Sequence, residues 1–80
     1  MPTVRLFAQA REVAGTGHDQ FDGTTVDEVL TAAVGRYGPS FDALLANCQV
    51  WCNGEPVDRA SAVGPDDEVA VLPPVSGGAT

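Results

Sequence analysis

Eighty residues with 44% apolar content allow one small domain with one modest core. Four arginines, no lysine and eleven acidic residues leave a net charge of −7. That excludes the basic face needed for nucleic acid or an anionic membrane surface, and it favours partners with basic surfaces.

In chain order, Thr3-Val4-Arg5-Leu6-Phe7-Ala8 alternates and predicts a first strand, with Val4, Leu6 and Ala8 on one face and Arg5 and Phe7 on the other. Gly15-Thr16-Gly17 is a turn, and a short second strand is expected around Asp19-Gln20-Phe21-Asp22 after a long loop. Thr25-Val26-Asp27-Glu28 is a capping box with acidic charge at the positive end of the helix dipole. Val26, Val29, Leu30, Ala33, Val34 and Tyr37 then follow at helical spacing. Gly38 and Pro39 end that helix. Ser40–Leu45 predicts a short helical turn packed through Phe41 and Leu44. Gln49–Asn53 predicts a strand, Asn53-Gly54 a type I′ hairpin turn, and Glu55-Pro56-Val57 a brief edge strand. Gly64-Pro65-Asp66-Asp67 is a turn before the last strand, Glu68–Leu72, with Val69 and Val71 inward. The order β-β-α-β-(β)-β predicts an α+β sandwich, with the helix on one face of the sheet.

Few side chains suggest chemistry of their own. Cys48 and Cys52 stand roughly 13 Å apart if their segment is a strand. That is too far for a disulfide, so both are expected as small buried hydrophobes. With a single distant His18, expected in a loop, they make no zinc site. Asp66, Asp67 and Glu68 fit turn chemistry and solubility, so no metal is expected. Arg11 either pairs with an acidic residue of a partner or with neighbours of Glu12, or is a solvated surface arginine, the last being the expected case. No apolar run approaches the roughly 20 residues of a membrane span. The start Met1-Pro2-Thr3-Val4-Arg5 has no signal-peptide core, which points to a cytoplasmic protein. Strand alternation sends Phe7, Trp51 and Leu72 to the face away from the helix, where three large apolar groups predict a partner-binding patch with an acidic rim.

Residues 1–72 are expected to form the domain and 73–80 a flexible tail. Pro73-Pro74 resists a regular ladder, and Val75-Ser76-Gly77-Gly78 is thin enough to thread a narrow channel, with Ala79-Thr80 beyond. Three stretches together resemble the MoaD/ThiS sulfur carriers: Leu6-Phe7-Ala8-Gln9-Ala10-Arg11-Glu12-Val13-Ala14-Gly15, Thr25-Val26-Asp27-Glu28-Val29-Leu30, and Asp66-Asp67-Glu68-Val69-Ala70-Val71-Leu72-Pro73-Pro74-Val75-Ser76-Gly77-Gly78. Within that family, the beginning and the Pro-Pro-Val-Ser-Gly-Gly finish are most similar to small subunits of molybdopterin synthase.

The resemblance implies a ubiquitin-like β-grasp fold with four to five strands and one main helix. It also implies no enzyme activity of its own and no tightly bound cofactor. An E1-like partner would use ATP to adenylate Gly78, which would then become a thiocarboxylate, with Gly77, Ser76 and Val75 giving access. Its sulfur would pass to the large subunit of molybdopterin synthase, or to an acceptor serving thiamin, cysteine or a sulfur-containing natural product. Ala79-Thr80 departs from the family's Gly-Gly ending, so cleavage between Gly78 and Ala79 by a trimming peptidase is expected. The rival class is a ubiquitin-like binding module or protein modifier.

Overall fold

The computed structural model describes residues 1–74. The expectations placed on Val75, Ser76, Gly77, Gly78 and Ala79 lie outside these residues. The elements run β1 (Thr3–Leu6), α1 (Ala8–Ala14), β2 (His18–Gln20), α2 (Val26–Tyr37), α3 (Pro39–Leu45), β3 (Gln49–Cys52), β4 (Glu55–Pro56) and β5 (Glu68–Leu72). The strands form one mixed sheet in the order β2-β1-β5-β3-β4. Its central pair, β1 with β5, is parallel, and the other pairings are antiparallel. This is the α+β, ubiquitin-like β-grasp arrangement. No helix among the described residues is long and apolar enough to cross a membrane.

Alternation along the strands builds the core. Val4, Leu6, Val69 and Val71 are all buried on one face, beneath Val26, Val29, Leu30 and Ala33 of α2 and Phe41 and Leu45 of α3. A fully buried Val or Leu side chain contributes about 1.5–3 kcal/mol, so this layer dominates stability. Helix α2 starts where the capping box predicts it, the Glu28 N–H donating to Thr25 Oγ1 at 3.1 Å. Glu28's own carboxylate reaches one residue further back, accepting from the Thr24 N–H at 2.7 Å and the Thr24 hydroxyl at 2.9 Å. These bonds hold its carboxyl below the usual range. The helix mouth is tied down by Val26 N–H to Ser61 O, Asp27 N–H to Arg59 O and an Asp27–Arg59 ion pair at 2.7 Å.

Several expectations need correction. β1 ends at Leu6, and Phe7 and Ala8 leave the strand: Phe7 is the N-cap of α1, and Ala8 begins it with φ +50°. The segment expected as a loop is therefore a seven-residue helix, closed by Gly15 at φ +78°. β2 begins earlier than expected and takes in His18, which is a strand residue opposite Arg5. Pro39 both ends α2 and starts α3. In α3 the buried side chains are Phe41 and Leu45, with Leu44 only half-buried.

At the far end of α2, Asp19 accepts from Arg36 and from the Tyr37 hydroxyl, each at 2.8 Å. Arg36 lies over the Phe21 ring at 4.7 Å, and Tyr37 packs edge-on to Phe21 and Phe41. Arg36 and Tyr37 hold Asp19's carboxyl below its usual range, while burial and then Asp19 push the Tyr37 phenol well up.

Candidate functional site

Among the described residues, no helix covers the outer face of the sheet. Register sets its rows: Arg5 beside Ala70 beside Trp51, then Leu72 beside Gln49 one pleat further on. The pairing of β1 with β5 ends at Leu6 and Val71, and Phe7 follows it in extended backbone at φ −120° and ψ 153° as the N-cap of α1. Trp51 lies diagonal to Leu72, and Trp51 and Leu72 are half-buried while Phe7 is 41% exposed. Sheet geometry therefore gathers Leu72, Ala70 and Trp51 onto one surface, with exposed Phe7 just past the end of β1. The Trp51 indole N–H donates to Gln49 Oε1 at 3.3 Å, which lays the carboxamide along the same face. One edge is bounded by the Arg5–Glu68 ion pair at 3.4 Å, so the rim is mixed in charge rather than simply acidic.

The chain leaves β5 at this end of the sheet. Pro73 is buried and Pro74 exposed. Both line an open depression of about 400 Å³ with Leu72, Asn47 and Gln49. The apolar surface thus lies at the root of the C-terminal segment, and a partner covering it also covers that segment's exit.

Turn residues brace the other end. Asn53 (φ +51°) and Gly54 (φ +85°) carry the chain from β3 to β4 in the expected I′ manner. The Asn53 carboxamide donates to Asp67 Oδ1 at 2.9 Å and accepts from the Glu68 N–H at 3.0 Å. Asp67 Oδ2 accepts from the Gly64 N–H at 2.7 Å. The Gly64 and Asn53 donors hold the Asp67 carboxyl low, so the acidic run serves turn chemistry. No group of three His, Cys, Asp or Glu able to hold a metal ion occurs among the described residues.

Both cysteines are free and half-buried. Cys48 Sγ donates to Leu44 O at 3.2 Å. Burial pushes both thiols up, and Asp67 adds to the effect at Cys52, which makes them poor nucleophiles at neutral pH. The arrangement is suited to docking and to presenting a C-terminal segment. Sequence reasoning missed a second feature: α1 places Arg11 against Gly17, beside Phe7 and His18. The signal was the helix-favouring run Ala8-Gln9-Ala10-Arg11-Glu12 ahead of Gly15.

Comparison with known proteins agrees with this geometry. The molybdopterin synthase sulfur carrier subunit of Chlamydomonas reinhardtii is 36% identical over 94% of this chain and 95% of its own length. Small archaeal modifier protein 1 of Haloferax volcanii is 38% identical over 92% of this chain and 97% of its own. The solution structure of small archaeal modifier protein 1 from Methanosarcina acetivorans superposes with a TM-score of 0.87 at 27% identity, covering 96% of this chain and 95% of that one. The family model described as the ThiS family matches residues 4–78, and the chain belongs to that family.

Proposed function

We propose that the chain is a sulfur carrier that donates thiocarboxylate sulfur from Gly78, as the small subunit of a molybdopterin synthase. It is not an enzyme on its own. The observation that carries the reading is the family match, which runs through the last strand and stops at Gly78, leaving Ala79-Thr80 outside it. The likeness to a molybdopterin synthase sulfur carrier subunit favours this acceptor over thiamin, cysteine or natural-product pathways. In this reading a peptidase removes Ala79-Thr80, and an E1-like enzyme uses ATP to convert the Gly78 carboxylate, a poor electrophile, into an acyl-adenylate. Sulfide-level sulfur from a separate donor then attacks the acyl carbon, forming the C–S bond as the C–O bond to AMP breaks, and the terminal thiocarboxylate acts as the nucleophile toward the acceptor. Phe7, Trp51 and Leu72 dock both partners, and Gly77, Ser76 and Val75 let the terminus reach their active sites.

A second reading rests on the likeness to a small archaeal modifier protein: the Gly78 carboxyl would form an isopeptide with lysines of other proteins. Intact-mass measurement of the untagged protein from its host, with fragmentation of the C-terminal peptide, separates these. The carrier reading expects a chain ending at Gly78, partly as thiocarboxylate. Gly78 found only in lysine adducts supports the modifier, and Ala79-Thr80 retained while the pathway is active rejects both.

A further inference from the structure

Basic side chains are scarce in this chain, four arginines and one histidine against eleven acids. Three of those five, Arg5, Arg11 and His18, line a single cleft of about 450 Å³ between β1, α1 and the start of β2, and none of its lining residues is acidic. Arg36 and Arg59 are engaged elsewhere by Asp19 and Asp27, and Arg5 reaches Glu68 at 3.4 Å. Arg11 is the one arginine without an ion pair among the described residues. Its side chain is nonetheless placed: it lies along Gly17, where a Cβ would stand 3.5 Å from Nε. A planar guanidinium propped in this way loses less freedom when it meets a carboxylate, which it can hold through two parallel N–H bonds.

On an acidic protein, two arginines in a cleft whose lining holds no carboxylate make that cleft less negative than its surroundings. The cleft is open and adjoins Phe7, so it is continuous with the outer sheet face. A partner drawn to a chain of net charge −7 presents a mostly basic surface, and one acidic residue within that surface has a single favourable place to land. We propose that this cleft is an orientation latch: Arg11, with His18 and Arg5 behind it, receives a side-chain carboxylate of the protein that docks on the outer face. The proposal rests on the carrier reading, and of the two proteins that then dock on the outer face it concerns the adenylating enzyme.

Salt-dependent calorimetry of the chain trimmed to end at Gly78 with the host's adenylating enzyme tests the latch. Arg59→Gln makes the carrier more acidic away from the cleft, so affinity for a basic partner holds or tightens. Arg11→Gln changes the net charge identically, yet at low salt the latch expects Kd to rise about tenfold or more. Arg11→Lys should recover part of that loss, and Arg11→Glu should be rescued by reversing the partner's carboxylate to Arg. Unchanged or tighter binding by Arg11→Gln overturns the latch while the carrier reading stands. Failure of the wild type, trimmed to end at Gly78, to bind or be adenylated overturns the carrier reading and the latch with it. Titration with inorganic phosphate is the further arm: saturation of the Gly17 and His18 amide shifts, with partner affinity indifferent to Arg11, makes the cleft a free-anion site and overturns the latch.

Discussion

The two faces of the sheet are made from alternate residues of the same strands, yet they do different work. Inward, Val4, Leu6, Val69 and Val71 are sealed beneath α2 and α3. Outward, Arg5, Ala70, Leu72 and Trp51 stay in reach of solvent and lead directly to the point where the chain leaves β5. A period of two therefore separates stability from recognition within a few residues. Inner-face changes should unfold the protein, and outer-face changes should leave it folded but impair docking.

The largest effect is expected from the layer over the inner face. Phe41 is fully buried, with its ring 5.1 Å from Tyr37. Phe41→Ala should lower the unfolding free energy by about 3–5 kcal/mol, read as a fall in the urea midpoint, because removed contacts and a residual cavity add. A loss under about 1 kcal/mol would mean that α3 is not integral to the core. The entrance to α2 is the next most sensitive place. A Cβ on Gly23 would stand 2.9 Å from Val29 Cγ2 and 3.0 Å from the Val29 nitrogen, so the helix must shift to admit it. Gly23→Ala should cost about 1–3 kcal/mol in the same assay.

Acid titration probes the polar join between the layers. Asp19's carboxyl is held low by Arg36 and Tyr37, so its contribution is complete above the unfolded value of about 3.9. It disappears as pH falls through the lower folded value. Glu28 and Asp67 are held low as well, so stability should be level near neutrality and decline below about pH 4. Asp19→Asn should start less stable at pH 7 and lose less on acidification. An equally steep acid decline in the variant would remove Asp19 from the linkage.

How much of this was legible in the sequence follows the same division. Helix α2 was readable because its cap is local and its buried face repeats over twelve residues. β5 was readable because Val69 and Val71 alternate cleanly, and the β3–β4 turn because Asn-Gly carries its own backbone preference. Helix α1 escaped because Ala10 is its only buried residue, too small to mark a periodic face. The parallel β1–β5 pairing joins the two ends of the chain, and no local pattern encodes it. On the outer face, the positions of Trp51 and Leu72 followed from alternation, whereas Phe7 left the strand to cap α1. The Arg11 cleft did not follow, since it exists only once α1 folds back on the Gly15–Gly17 loop.

The smallest stability change, and the sharpest test of the comparison, belongs to Trp51. Its neighbours across the sheet are Ala70 and Pro56, and its indole N–H reaches only a surface carboxamide. Trp51→Thr replaces one strand-favouring residue, an aromatic, with another, a β-branched one, and should cost about 1 kcal/mol or less, the scale of one cross-strand pair. A central aromatic anchor of an interface, by contrast, is worth about 2 kcal/mol or more in binding, so affinity for the adenylating enzyme should fall about thirtyfold. Leu72→Thr should behave alike, being on the same face at the root of the C-terminal segment. If Trp51→Thr instead unfolds the protein as readily as Phe41→Ala, the outer face is a second core surface and the division between the faces fails. If it leaves both stability and affinity intact, partners approach the chain from some other side.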